Sequence, residues 1–203
     1  DLKMIVGEDT SFRKTGTINI ATTKSRHQEF LRQKTMSKLF DLNIDIIDKK
    51  KFKSLYPIAK NKDVVSGLYI PDDGQADPEI LTKCISLAAK KEGVKIFEKC
   101  KLEKILKREN QIRGVKTDHG IINCEYIVLC AGMWSRQIGE AAGVSIPLYP
   151  NEHFYMITED YKNLPKTLPT FRDPDTYLYA REYHGKIMLG IFEPNAKNAF
   201  IKT

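Results

Sequence analysis

The stretch "EYIVLCAGMWSRQIGEAAGV" (residues 125–144) decides the fold. An apolar run from Tyr126 to Cys130 stops at Ala131-Gly132, and an amphipathic helix is predicted from Trp134 to Gly143. Strand, glycine, helix is the order in which an α/β protein presents backbone N–H groups to a ligand. The nearly continuous apolar character of 126–130 predicts a central strand covered on both faces. No glycine-rich phosphate loop precedes it, which raises the question of what this strand end serves and where the rest of its site lies.

Working outward, "SGLYIPDDGQADPEILTKCISLAAKKEGV" (66–94) reads as an extended piece, a turn and a helix. Pro71-Asp72-Asp73-Gly74 is turn chemistry, and Asp77 before Pro78 forms an N-cap and first-turn pair. Ile80, Leu81, Cys84, Ile85 and Ala88 make one apolar stripe, and Gly93 is the expected stop. Strands are predicted over 94–98, 101–107, 112–117 and 121–125, with Glu109-Asn110 and Asp118-His119-Gly120 as hairpin turns. In the first third, "TGTINIAT" (15–22) alternates as a strand, 24–43 carries helical phase after a Thr23 or Ser25 cap, and 48–57 is a short helix stopped before Pro57. After Pro150, "HFYMITE" (153–159) alternates, and 178–194 reads as two strands around Tyr183-His184-Gly185. With 15–22 these are expected to form one antiparallel sheet.

The totals restrict the function. A chain of 203 residues with 41% hydrophobic content can bury a real core. No apolar run approaches the ~20 residues that a membrane-spanning helix needs. The start, "DLKMIVGEDT", has neither the apolar stretch nor the cleavage site of a signal peptide and lacks an initiator Met, as expected of a processed or excised chain. Four cysteines, Cys84, Cys100, Cys124 and Cys130, form no CxxC pair, and no His stands at metal-ligand spacing. Four reduced, mostly buried thiols and no metal site are therefore expected. The net charge of +7 lies wholly within residues 1–62, densest in "DKKKFK" (48–53). Because 25 of the 33 basic residues are Lys, a solvated face is favoured over a phosphate-reading surface, and no nucleic-acid partner is expected.

Three segments carry a resemblance to a known family. "GLYIPDDGQADPEILTKCISLAAKKEGV", "GVKTDHGIINCEYIVLCAGMWSRQIGEAAGVSIPLYPNEHFYMITE" and "LPTFRDPDTYLYARE" resemble the dimethylglycine and sarcosine dehydrogenase branch of the D-amino-acid-oxidase-like flavoenzymes. The resemblance implies a mixed α/β (α+β) fold, in which part of an FAD-binding Rossmann-type domain is interwoven with an antiparallel-sheet substrate domain. Residues 1–66 and 145–203 would belong to the substrate domain, and 67–144 to the FAD domain. The family's first strand carries GxGxxG, which occurs nowhere in this sequence, so the chain is expected to be an internal piece of a catalytic unit.

The resemblance also assigns residues. Cys130, Ala131, Gly132, Met133 and Trp134 would end a central strand beside FAD, and Leu102 would lie where the family sets strand backbone against the adenine. His153 and Tyr179 match a histidine and a tyrosine that face the substrate near the flavin, and should emerge on one face of the sheet. Tyr155 and Arg172 are secondary candidates. The implied activity is oxidation of a C–N bond in an N-methylated glycine, with a small-molecule amine as substrate. A C-terminal folate-binding domain is a candidate neighbour in a complete protein. The implied location is bacterial cytoplasm or mitochondrial matrix, without secretion or a membrane partner. The alternative within the family is a non-catalytic regulatory paralogue, and a basic nucleic-acid-binding module is the reading from another class.

Overall fold

The computed structural model describes residues 1–199; the last four residues of the expected 145–203 segment lie outside them. The chain divides into two compact units. The first comprises Asp1–Glu92 and His153–Asn195, and the second comprises Gly93–Glu152 and, of the described residues, 196–199.

The first unit is built on a seven-stranded sheet. Its strands are β1 (Thr17–Ala21), β2 (Asp45–Ile47), β3 (Ser66–Ile70), β7 (Phe154–Ile157), β8 (Thr170–Asp173), β9 (Leu178–Tyr183) and β10 (Lys186–Ile191). They lie in the order β2-β3-β1-β8-β9-β10-β7. The segments 15–22, 153–159 and 178–194 do share this sheet, but it is mixed rather than antiparallel, because β8 joins β1 in parallel with Thr17 opposite Thr170. The four-residue β8 gives no periodic signal in the sequence. The sheet also takes β3, antiparallel to β1.

Side chains alternate across a strand, so β1 feeds a core on each face. On one face Ile18 and Ile20 meet Phe52 and Tyr56 of α3 (Lys49–Leu55) and its C-cap, together with Phe171 and Ala180. On the other, Ala21 and Leu68 pack with Phe30 of α2 (Lys24–Ser37). Capping follows the expected chemistry: the Thr23, Asp48 and Asp77 side chains accept N–H groups at the starts of α2, α3 and α4 (Pro78–Lys91). A helix absent from the sequence reading, α1 (Leu2–Val6), packs beside α4. The expected α4 stripe is only partly covered: Cys84 is buried, Leu81 and Ala88 are half-buried, and Ile80 and Ile85 are exposed. The lysines of α3 are exposed, and two of them bond to nearby carbonyls: Lys53 Nζ donates to Pro57 and Ala59, and Lys49 Nζ donates to Lys62.

The second unit holds a three-stranded antiparallel sheet, β4 (Leu102–Arg108), β5 (Gln111–Thr117) and β6 (Gly120–Asn123), followed by a 3-10 turn at Gly132–Trp134 and α5 (Ser135–Ala141). Two expected strands do not form. Residues 94–98 are irregular, with Val94 and Phe97 exposed. Residues 126–130 pair with no described strand, and Tyr126 and Val128 stand 85% and 86% exposed. A central strand requires neighbours on both sides to accept and donate its backbone hydrogen bonds. Among the described residues none occupies that place. The cysteines also differ from expectation: all four are free, but Cys100 and Cys124 are half-buried and Cys130 is exposed. No described helix is long and apolar enough to cross a membrane.

Candidate functional site

His153 immediately precedes β7, and Tyr179 is the second residue of β9. Strand β10 lies between those strands. Gly190 on β10 is opposite Tyr155 on one side and Tyr179 on the other. Directly opposed residues share a face, and His153 is two positions before Tyr155, so the four positions fall on one face. On the same row, Arg172 of β8 is opposite Tyr179. The sheet register thus brings together all four polar residues singled out in the sequence.

Phe192 lies between the two principal side chains. The His153 ring meets it edge-on with centroids 5.2 Å apart, and the Tyr179 ring stacks on it at 4.9 Å. Such pairs contribute about 0.5–1.5 kcal/mol beyond their area burial and fix ring orientation. Gly190 makes the arrangement possible. Tyr179 lies across it so closely that any Cβ there would enter the phenol ring. Neither His153 nor Tyr179 is buried in the core. Beside them β7 and β10 border an apolar recess of about 440 Å³ that includes Tyr155, Gly190 and Glu193 in its walls.

His153 has a carboxylate partner. Its Nδ1 stands 3.0 Å from Glu193 Oε2. The hydrogen bond from His153 is the main cause that holds the Glu193 carboxyl below its usual range. Phe192, Glu193 and Gly190 did not emerge from the sequence as site residues. The signal was present in "GIFEP" (190–194): Phe192 has the strand phase of Gly190, and an acidic residue before Pro194 ends the strand.

In the second unit, Cys130 is exposed, Met133 and Trp134 are 44% and 53% exposed, and Ala131 is half-buried. Gly132 has φ +52°, and the space that its Cβ would fill is empty to 4 Å. Residues 130–134 therefore lie largely open, with accessible backbone at Gly132. Leu102 opens β4 and is half-buried. The second unit also brings the ligand atoms of Cys100, Asp118 and His119 within 4.8 Å of one another, a grouping that sequence spacing did not suggest. Asp118 already has a structural task there, accepting the Lys101 N–H at 2.9 Å and tying the hairpin to the start of β4.

Comparison with known proteins defines the class. The sequence model of the FAD dependent oxidoreductase family, DAO, matches residues 1–200, and the chain belongs to that family. The fold agrees: L-proline dehydrogenase from P. horikoshii superposes with a TM-score of 0.86 at 27% identity, over 95% of this chain and 52% of that one. At the level of particular relatives, the chain is 31% identical over 194 residues to 4-methylaminobutanoate oxidase (formaldehyde-forming) of Paenarthrobacter nicotinovorans, covering 96% of this chain and 24% of that protein. It is 31% identical over 194 residues to the mitochondrial dimethylglycine dehydrogenase of Rattus norvegicus, covering 94% and 23%. It is 33% identical over 202 residues to the mitochondrial pyruvate dehydrogenase phosphatase regulatory subunit of Mus musculus, covering 98% and 23%. The chain therefore spans about a quarter of the length of these relatives.

Proposed function

We propose that this chain is part of an FAD-dependent amine oxidoreductase that oxidises a C–N bond in an N-methylated glycine. The observation that carries this reading is the shared face of His153, Tyr179 and Arg172, with Phe192 between the first two rings. A small N-methyl amino acid offers an amine and a carboxylate, and this face offers a partner for each. The Tyr179 hydroxyl and the Arg172 guanidinium, from opposed positions, suit the carboxylate. His153 suits the amine: an amine must be unprotonated before it can give up a hydride, and a neutral imidazole accepts that proton.

When bound, FAD supplies the hydride acceptor. That acceptor would take the hydride of the substrate's C–H bond as the nitrogen lone pair closes the C=N bond of an iminium. Leu102 and residues Cys130, Ala131, Gly132, Met133 and Trp134 line the cofactor in this reading, through backbone rather than charge. The similarity to dimethylglycine dehydrogenase and to 4-methylaminobutanoate oxidase, both acting on N-methylated amines by name, supports the substrate class. The family resemblance read in the sequence adds a folate-binding neighbour domain and a cytoplasmic or mitochondrial-matrix location to this reading.

The similarity to a phosphatase regulatory subunit favours a second reading, a non-catalytic paralogue. Anaerobic mixing of the complete flavin-loaded protein with N-methylglycine, N,N-dimethylglycine and 4-methylaminobutanoate separates the two. Bleaching of the flavin band by one of these amines is expected. A band unchanged by any of them would favour the regulatory reading.

A further inference from the structure

Glu193 lies just beyond β10, and its carboxylate reaches the imidazole of His153 across the β7–β10 pair. An ionised carboxylate has no proton to give. At neutral pH Glu193 is ionised, since its carboxyl is held below the usual range chiefly by this same contact. The hydrogen at 3.0 Å must therefore sit on His153 Nδ1. In a neutral imidazole only one nitrogen carries hydrogen, so Nε2 is left with its lone pair. Phe192, edge-on to the same ring, restricts its rotation. By the same alternation, the other titratable or charged groups on this face of β7 to β10 are Tyr155, Tyr179, Arg172, Arg181, Tyr183 and Lys186. Among the described residues, His153's side chain hydrogen-bonds to Glu193 alone.

We infer that Glu193 is a positioning residue for His153: it fixes the neutral imidazole as the Nδ1–H tautomer and leaves Nε2 as a hydrogen-bond acceptor. The positioning follows from the geometry alone. Its consequence for chemistry rests on the reading of His153 as the group that meets the substrate amine. An Nε2–H tautomer would present a donor to that amine and could not take its proton. Holding Nε2 as the acceptor therefore gives His153 the proton-accepting form required by the reaction. Fixing a histidine through its other nitrogen is a general means of controlling tautomer and orientation.

The test uses the complete flavin-loaded protein labelled with [15N]histidine, with the His153 signals assigned from the spectrum of a His153→Gln variant. Two variants are compared, Glu193→Ala and Glu193→Gln; the Gln carbonyl can still accept from Nδ1. At alkaline pH the wild type and Glu193→Gln should show nitrogen shifts of the Nδ1–H form, and Glu193→Ala should lose them. Amine-dependent flavin reduction should fall about 10-fold in Glu193→Ala and be largely restored in Glu193→Gln, with the effect in the reduction rate rather than in apparent amine affinity. An Nε2–H tautomer in the wild type, or an unchanged tautomer in Glu193→Ala, would overturn the inference. A changed tautomer with an unchanged rate would support the positioning and overturn the catalytic reading of His153. The two claims are thus decided separately.

Discussion

Gly190 shows how much of the candidate site depends on a missing side chain. The Tyr179 ring occupies the volume that any Cβ at 190 would need. Gly190→Ala should push the phenol off Phe192 with little loss of stability, because the atoms that must give way are the far end of a flexible, half-exposed side chain, and the shift is read in tyrosine fluorescence. Unchanged tyrosine fluorescence would mean that the ring does not lie there. Glu182, on the core side of β9, makes a second residue-scale case. It is 2% exposed, accepts the Gly185 N–H at 2.8 Å, and pairs with Arg13 at 2.6 Å. Burial alone pushes its carboxyl upward, but Gly185 and Arg13 outweigh that and hold it below the ordinary 4.5. A depressed folded-state value stabilises the fold above the unfolded value and loses that contribution as pH falls through the folded one. Glu182→Gln should therefore be less stable than wild type at pH 7, by about 1–3 kcal/mol. The gap should narrow as pH drops below 4.5. A gap independent of pH would show that charge plays no part.

At the scale of elements, α3 is the main support for the sheet's inner face. Its sequence, KKKFKSL, attracts notice for charge, yet the single Phe52 is wholly buried and stacks with Tyr56 at 6.2 Å. Phe52→Ala should cost about 3–5 kcal/mol, measured by chemical denaturation, because the cavity is walled by Tyr56 and Phe171 and cannot collapse. A loss below about 1 kcal/mol would mean that α3 is peripheral. The elements also show what a sequence can and cannot tell. Helices α2 and α4 were legible because their caps are local, a Thr or Asp accepting N–H groups two or three residues on, and α3 because Pro57 ends it. The meander β4–β6 was legible because its turns are short. Strand β8 was not, since its first partner, β1, lies 153 residues away at Thr17 and Thr170. For 126–130 the apolar run announced burial, but burial depends on neighbours that no run of five residues can specify.

At the scale of the whole molecule, the candidate site was legible in part. His153, Tyr179, Tyr155 and Arg172 came from residue type and family likeness, and the sheet register places them on one face. Phe192 and Glu193 were missed because their importance comes from contacts with residues 13 to 40 positions distant, which no local pattern encodes. The 203-residue chain contains no GxGxxG turn for the FAD pyrophosphate. By itself it should emerge from gel filtration colourless, and a retained flavin band would contradict that expectation. Its thiols should react in order of exposure with a thiol reagent under native conditions. Cys130 should react first, and Cys84, 1% exposed, only on unfolding. The central claim, that the face shared by His153 and Tyr179 meets an amine substrate, is tested most directly by anaerobic stopped-flow reduction of the complete flavin-loaded protein. His153→Ala and Tyr179→Phe should each slow amine-dependent bleaching by about 10²-fold while the flavin content stays at the wild-type level. Bleaching at the wild-type rate in both variants would contradict it.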